Sequence, residues 1–219
     1  MNKLTKRMLM GTIAATAILA TSVASFAENA KVRLAFLYAD SMLPVLHAQE
    51  KGYFKEAGID LEVTAVQGGP AAVAALASGE ADLAYSAFIP PINARNGGLP
   101  VKLLLTLGHE AADKKFTFIV ASKASGVTDF KALAGKKVSV NANGGLCELM
   151  LRDHLAANGM KIEDVQLVVL PFPEQEKALE QGGIDANCTV NPFYASILSN
   201  AAVGANVVAE GMLADLSTP

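Results

Sequence analysis

Short apolar runs along this chain alternate with longer segments in which apolar residues recur three and four positions apart. The first pattern marks strands covered on both faces, the second one face of a helix. On this reading strands are expected at residues 32–37, 61–66, 83–85, 101–107, 116–121, 137–140, 165–170, 184–189 and 206–209. Helices are expected at 43–57, 71–77, 88–95, 146–158, 174–181 and 192–200, with a short turn-helix segment at 127–133. Pro44 suits a helix's first turn, and Gly58 and Gly159 stand where a left-handed residue stops one. Strand–helix alternation with right-handed crossovers gives a mostly parallel α/β sheet whose strand C-terminal ends all point one way. Ligands of such sheets sit outside those ends.

One pattern occurs twice. Ala75 to Asp82 reads A-L-A-S-G-E-A-D and Ala178 to Asp185 reads A-L-E-Q-G-G-I-D, both fitting A-L-x-x-G-x-x-D. Each copy ends an apolar helix on Gly79 or Gly182 and then opens an apolar strand. A chain that builds one α/β unit twice has two similar lobes and a cleft between them.

Residues 1–27 have the three regions of an export signal. Lys3, Lys6 and Arg7 are basic, Met8 to Ala20 is an uncharged apolar run, and Ser25-Phe26-Ala27 supplies small residues for cleavage after Ala27. That run falls short of the roughly 20 residues needed to span a bilayer, and no later stretch is long enough. The expected product is an exported, periplasmic protein that does not itself cross the membrane. Removing Lys3, Lys6 and Arg7 from 18 basic residues leaves 15 against 21 acidic ones. No basic patch is visible to neutralise phosphates, so nucleic acid is excluded as a partner. Cys147 and Cys188 are the only cysteines, and their separation fits no metal motif. In an oxidising compartment they form either a disulfide or two buried thiols, and geometry decides which.

Catalytic signatures are missing: no P-loop, G-x-G-x-x-G, G-x-S-x-G, C-x-x-C or H-E-x-x-H occurs. His47, His109 and His154 are scattered, and no metal or cofactor is expected. What remains is polar residues at strand ends. Asn143, Gly144 and Gly145 precede a helix whose free N–H donors would favour an anionic group. Asp40 and Ser41, Gln67 and Gly68, Ser86, and Asn191 stand at comparable ends, and His109 follows the strand expected at 101–107. An ionised Asp40 would prefer a donor or cationic group, so the two lobes together suggest a ligand of mixed polarity.

The stretch Ala48 to Ile59 (A-Q-E-K-G-Y-F-K-E-A-G-I), with Gln67-Gly68-Gly69 and Ala75-Leu76 to Asp82, resembles the nitrate/sulfonate/taurine and thiamine-pyrimidine-precursor group of periplasmic binding proteins. Phe130 to Val138 and Asp185 to Phe193 are similar to that family's second-lobe pattern. The resemblance implies a two-lobed type II periplasmic binding fold that hands a small molecule to the membrane permease of an ABC importer. It implies ligand contacts from Asp40-Ser41, Gln67-Gly68, Ser86-Ala87 and Asn143-Gly144-Gly145. The expected organisation is leader 1–27, lobe one 28–110, lobe two 111–204 with the crossing strand, and 205–219 returning toward lobe one, where the C-terminal part is short. The expected function is capture of a sulfonate, nitrate, carboxylate or pyrimidine-type solute without covalent chemistry. An enzyme similar to the pyrimidine synthases of this fold, and a truncated sensor or regulatory binding protein, are the alternatives.

Overall fold

A computed structural model describes residues 28–216; the expected leader and cleavage site lie outside the described residues. Two sheets form. The first is built from β1 (Ala30–Phe36), β2 (Ile59–Ala65) and β3 (Leu83–Tyr85), in the order β2-β1-β3 and wholly parallel. The second contains β4 (Thr117–Ala121), β5 (Lys137–Val140), β6 (Gln166–Val169), β7 (Ala186–Val190) and β8 (Asn206–Glu210), in the order β6-β5-β7-β4-β8. There β5 pairs parallel with β6 and β7, whereas β4 runs antiparallel to β7 and β8. Helices α1 (Leu43–Glu50), α2 (Tyr53–Glu56), α3 (Gly69–Ser78) and α4 (Ile89–Asn96) belong to the first lobe. The second lobe carries α5 (Leu146–Ala157), α6 (Phe172–Glu180), α7 (Phe193–Ser199) and α8 (Met212–Leu216).

Alternation along the strands sorts the cores. In the first lobe Leu34 and Phe36 face Met42, Leu61 and the α1–α2 side, while Ala35 faces Ala72 and Ala81 beside α3. Small residues on that second face let helix and sheet approach closely. In the second lobe Val138, Val140, Ala186 and Cys188 pack with Met150, Leu151 and Leu155 of α5, and Phe118 and Val120 pack with Leu179 and Ile197 on the α6–α7 side.

The duplicated motif does the same structural job twice. Asp82 N–H donates to the Arg33 carbonyl and Arg33 N–H donates to Asp82 Oδ2, both at 2.9 Å. Asp185 N–H donates to the Lys137 carbonyl and Lys137 N–H donates to Asp185 Oδ2, both at 2.8 Å. Each aspartate thus clasps one residue of an inner strand of its sheet, β1 or β5, with one backbone and one side-chain bond. The preceding turn repeats as well: Ala81 N–H donates to the Ala75 carbonyl, and Ile184 N–H to the Ala178 carbonyl. Gly79 at φ 77° and Gly182 at φ 70° supply the left-handed residue that this turn requires.

Several expectations need correction. The helix expected at 43–57 is split into α1 and α2, because Gly52 at φ 82° turns the chain between them. The strand expected at 101–107 does not form. A strand exists only as part of a ladder, and no described strand lies beside this one; Leu103, Leu104 and Leu105 are 84%, 71% and 65% exposed. Residues 206–210 do not head for the first lobe. They form β8 against β4, and Met212 is buried in the α5-side core.

Glu110 explains that placement. Its Oε2 accepts from Phe116 N–H and Thr117 N–H at 2.8 Å and from the Thr117 hydroxyl at 2.7 Å. Its Oε1 accepts from Leu213 N–H at 2.7 Å and from Ala214 N–H at 2.9 Å, which it shares with the Gly211 carbonyl at 3.0 Å. One carboxylate therefore ties the interlobe connector to β4 and to the C-terminal helix. No helix among the described residues is long and apolar enough to cross a membrane.

Cys147 of α5 and Cys188 of β7 form a disulfide, the question the sequence left open. It closes a loop across 41 positions of the second lobe, so reducing it is expected to lower stability by about 2–4 kcal/mol. Chemical denaturation with and without reductant, with the Cys147→Ser/Cys188→Ser chain as control, measures this. A second expectation concerns acid. The Arg33 guanidinium and N–H hold the Asp82 carboxyl at about 2, below its ordinary value. A depressed carboxylate contributes stability above its ordinary pKa and loses it as pH falls toward the folded value. Asp82→Asn is therefore expected to flatten the loss of melting temperature between about pH 4 and pH 2. Parallel melting curves for the two chains over that range check it.

Candidate functional site

The C-terminal ends of β1, β2, β3, β5 and β7 deliver Asp40, Gln67, Ser86, Asn141 and Asn191 into loops, and loops from the two lobes touch. Asp40 N–H donates to the Asn191 carbonyl at 3.1 Å. Gly68 lies so close to the β5 end that an added Cβ would stand 2.9 Å from both Ala142 Cβ and Asn141 Nδ2. Its backbone is extended, with φ −179°, so glycine serves close approach here and no unusual conformation.

Around these two contacts the first lobe contributes further polar groups. Asp40 opens a short 3₁₀ turn, Asp40–Met42, and burial pushes its carboxyl above the usual range. Among the described residues no cation pairs with it. The Ser41 hydroxyl hydrogen-bonds that of Tyr85, and burial pushes the Tyr85 phenol up against the opposing effect of that bond. Ser86 donates to the Ala87 carbonyl at 2.8 Å and packs where a Cβ on Gly69 would have to go, which fixes glycine at the start of α3. A Cβ on Gly108 would stand 3.4 Å from Ser41 Cβ, so the connector passes beside this cluster.

The expected anion seat is organised differently. Gly144 N–H donates to Glu148 Oε2 at 2.8 Å, and Glu148 also takes Arg152 Nε at 2.9 Å. Burial works against ionisation of Glu148, but the Gly144 N–H and the Arg152 guanidinium outweigh it and hold the carboxyl below its usual range. A side chain from the first turn of α5 therefore already supplies negative charge to that helix start. Gly144, at φ 67°, shapes the turn, and Gly145 packs 3.2 Å from the Ala142 carbonyl if given a Cβ.

Of the residues singled out in the sequence, the structure joins Asp40, Ser41, Gly68 and Asn191 to one cluster and places Ser86 and Ala87 at the start of the neighbouring helix. Gln67, His109, Asn143 and Gly144 are exposed, and the side chains of Gln67, His109 and Asn143 hold no protein partner. Asn141, 6% exposed, together with Ala142 and Tyr85, was not singled out. Asn141 was the legible one: a polar residue directly after the apolar run that ends at Val140. A depression of about 470 Å³ on α1, lined by Leu43, Pro44, Leu46, His47 and Glu50, lies apart from these strand ends.

The profile of the family described as "NMT1/THI5 like" matches residues 39–207. The 4-amino-5-hydroxymethyl-2-methylpyrimidine phosphate synthase THI12 of Saccharomyces cerevisiae is 33% identical over 146 residues, 66% of this chain and 41% of that protein. A Bacillus subtilis protein named for binding aliphatic sulfonates is 28% identical over 183 residues, 82% of this chain and 53% of its own length. The solved periplasmic aliphatic sulphonate binding protein SsuA of Escherichia coli superposes with a TM-score of 0.63 at 25% identity, covering 86% of this chain and 58% of that one. This chain thus spans about half the length of the curated relatives it matches. The two-lobed periplasmic binding fold is the shared architecture.

The two glycines are expected to respond differently to substitution. Gly68→Val should force the lobes apart and raise the radius of gyration in small-angle scattering, with an unchanged far-UV spectrum. Gly144→Val should leave the radius unchanged and cost about 1–3 kcal/mol of stability, because valine resists the left-handed backbone. A Gly68→Val chain as compact as the parent would contradict the cleft described here.

Proposed function

This chain belongs to the NMT1/THI5-like family, and from that membership and the cleft geometry we propose that it is a solute-binding protein of an ABC importer. In this reading it is exported to the periplasm after cleavage at Ala27, closes on one small organic anion or heterocycle, and presents it to a membrane permease. Binding and closure are the whole mechanism, and no bond is made or broken. The observation that carries the proposal is the meeting of strand ends from both lobes at Asp40–Asn191 and Gly68–Asn141. Asp40, Ser41, Ser86 and Asn191 are then the contacts for the solute, with Tyr85 and Asn141 beside them. Gln67, His109 and the Asn143–Gly145 turn would border the opening.

The charge distribution bears on the type of solute. At the start of α5 the Gly144 N–H is already taken by Glu148, and Asp40 has no cationic partner among the described residues, so neither place favours a strongly anionic group. A nitrogen heterocycle of pyrimidine type, with donors for Asp40 and acceptors for the Ser86 or Tyr85 hydroxyl, fits this lining better than sulfonate or nitrate. A second reading is an enzyme, and the 33% identity to a pyrimidine phosphate synthase favours it specifically.

Protein purified from an exported fraction separates the readings. Extraction and mass spectrometry should release one small molecule near 1:1, which rebinds and stays unmodified on prolonged incubation. Conversion of that molecule would install the enzyme reading. A protein that releases nothing, and whose melting temperature no sulfonate, nitrate, aromatic carboxylate or pyrimidine raises, would contradict both.

A further inference from the structure

The face of the second sheet that packs on α6 and α7 is apolar at its margins and polar at its centre. Ser139 on β5, Asn187 and Thr189 on β7 and Gln175 on α6 are all fully buried. Ser139 and Asn187 are register partners on adjacent strands, and Thr189 lies two residues further along β7 on the same face. Leu179, Ile184, Ile197, Phe118 and Val120 wall this layer off from solvent.

Hydrogen-bond direction is fixed from one end. The Leu170 carbonyl can only accept, so Gln175 turns Nε2 toward it at 3.0 Å. That leaves Gln175 Oε1 to accept from Asn187 Nδ2 at 2.8 Å, and Asn187 Oδ1 is left as an acceptor with no protein donor. Ser139 Oγ and Thr189 Oγ1 are buried without protein partners as well, and so is Asn191 Oδ1, at the next alternate position. Leaving a buried polar atom unpaired costs more than an ordinary hydrogen bond returns. Four such atoms follow two neighbouring strands.

We propose that this file is a site for ordered water. One molecule donates to Asn187 Oδ1 and bonds Ser139 Oγ, and the file continues past Thr189 Oγ1 to Asn191 Oδ1. Water matches the chemistry: the groups are neutral, they mix acceptors with hydroxyls, and water can donate and accept at once with two to four partners. A hydrated ion has no charged group to meet in this layer. The far end of the file is Asn191, whose carbonyl receives Asp40 N–H, so the waters brace the floor of the cleft from behind. This inference concerns the interior of the second lobe and holds whichever solute the cleft takes.

A crystal structure of the full chain tests it directly. Ordered density about 2.7–3.2 Å from Asn187 Oδ1 and from one of the two hydroxyls is expected. Side chains bonded directly to one another, with no water between them, would overturn the proposal. Thr189→Val and Ser139→Ala test it in solution by removing a hydroxyl at little change in volume. Each should lower the melting temperature by at least about 2 °C, and together by less than the sum, because they share water. An unchanged or raised melting temperature in Thr189→Val, the result for a hydroxyl that has no partner to lose, would overturn it.

Discussion

Each lobe depends on one aspartate that behaves as an additional residue of its sheet. Asp82 and Asp185 offer a backbone N–H to the carbonyl of an inner-strand residue, Arg33 or Lys137, and a carboxylate oxygen to the same residue's N–H. This reciprocal pair sets where the following strand, β3 or β7, enters beside β1 or β5. The strand ends, and the loops that follow them, are placed from that point. Because the arrangement occurs twice, two sets of loops exist to face one another, and Asp40, Gly68, Asn141 and Asn191 meet between the lobes.

The lobes are not braced equally. The second carries the Cys147–Cys188 disulfide, a five-stranded sheet and the Glu110 carboxylate, which binds the connector to β4 and α8. Among the described residues the first has three strands and an exposed run of leucines at 103–105. Under the proposed binding function such asymmetry gives a rigid partner, and a softer one that adjusts to it. The connector leaves the first lobe through Gly108 beside Ser41 and is fixed on the second at Glu110, so few residues are left to absorb a change of angle.

Much of this was legible in the chain. The A-L-x-x-G-x-x-D repeat announced two lobes, and apolar runs located most strands. The run at 101–107 was misread because a strand needs a partner ladder, and apolar composition cannot supply one. The break at Gly52 was hidden inside helical periodicity. The turn at Asn143–Gly145 looked like an anion seat because its donors are local in sequence; the residue that takes one of them, Glu148, was equally local and stands where capping glutamates stand. The tie from Glu110 to α8 was out of reach, since Leu213 and Ala214 lie some hundred positions away. The cysteine pairing needed geometry. Asn141 was readable as a strand-end polar residue, but its approach to Gly68 is a fact of three dimensions.

The central claim is that strand ends from both lobes form one site that closes on a small molecule. Spin labels on the exposed residues Gln67 and Asn143 report directly on that closure by pulsed dipolar distance measurement. With the molecule that co-purifies added back, the distance distribution is expected to narrow and shift to shorter values than in the stripped protein. A distribution that does not change while calorimetry shows the molecule bound would place the binding site elsewhere on the protein.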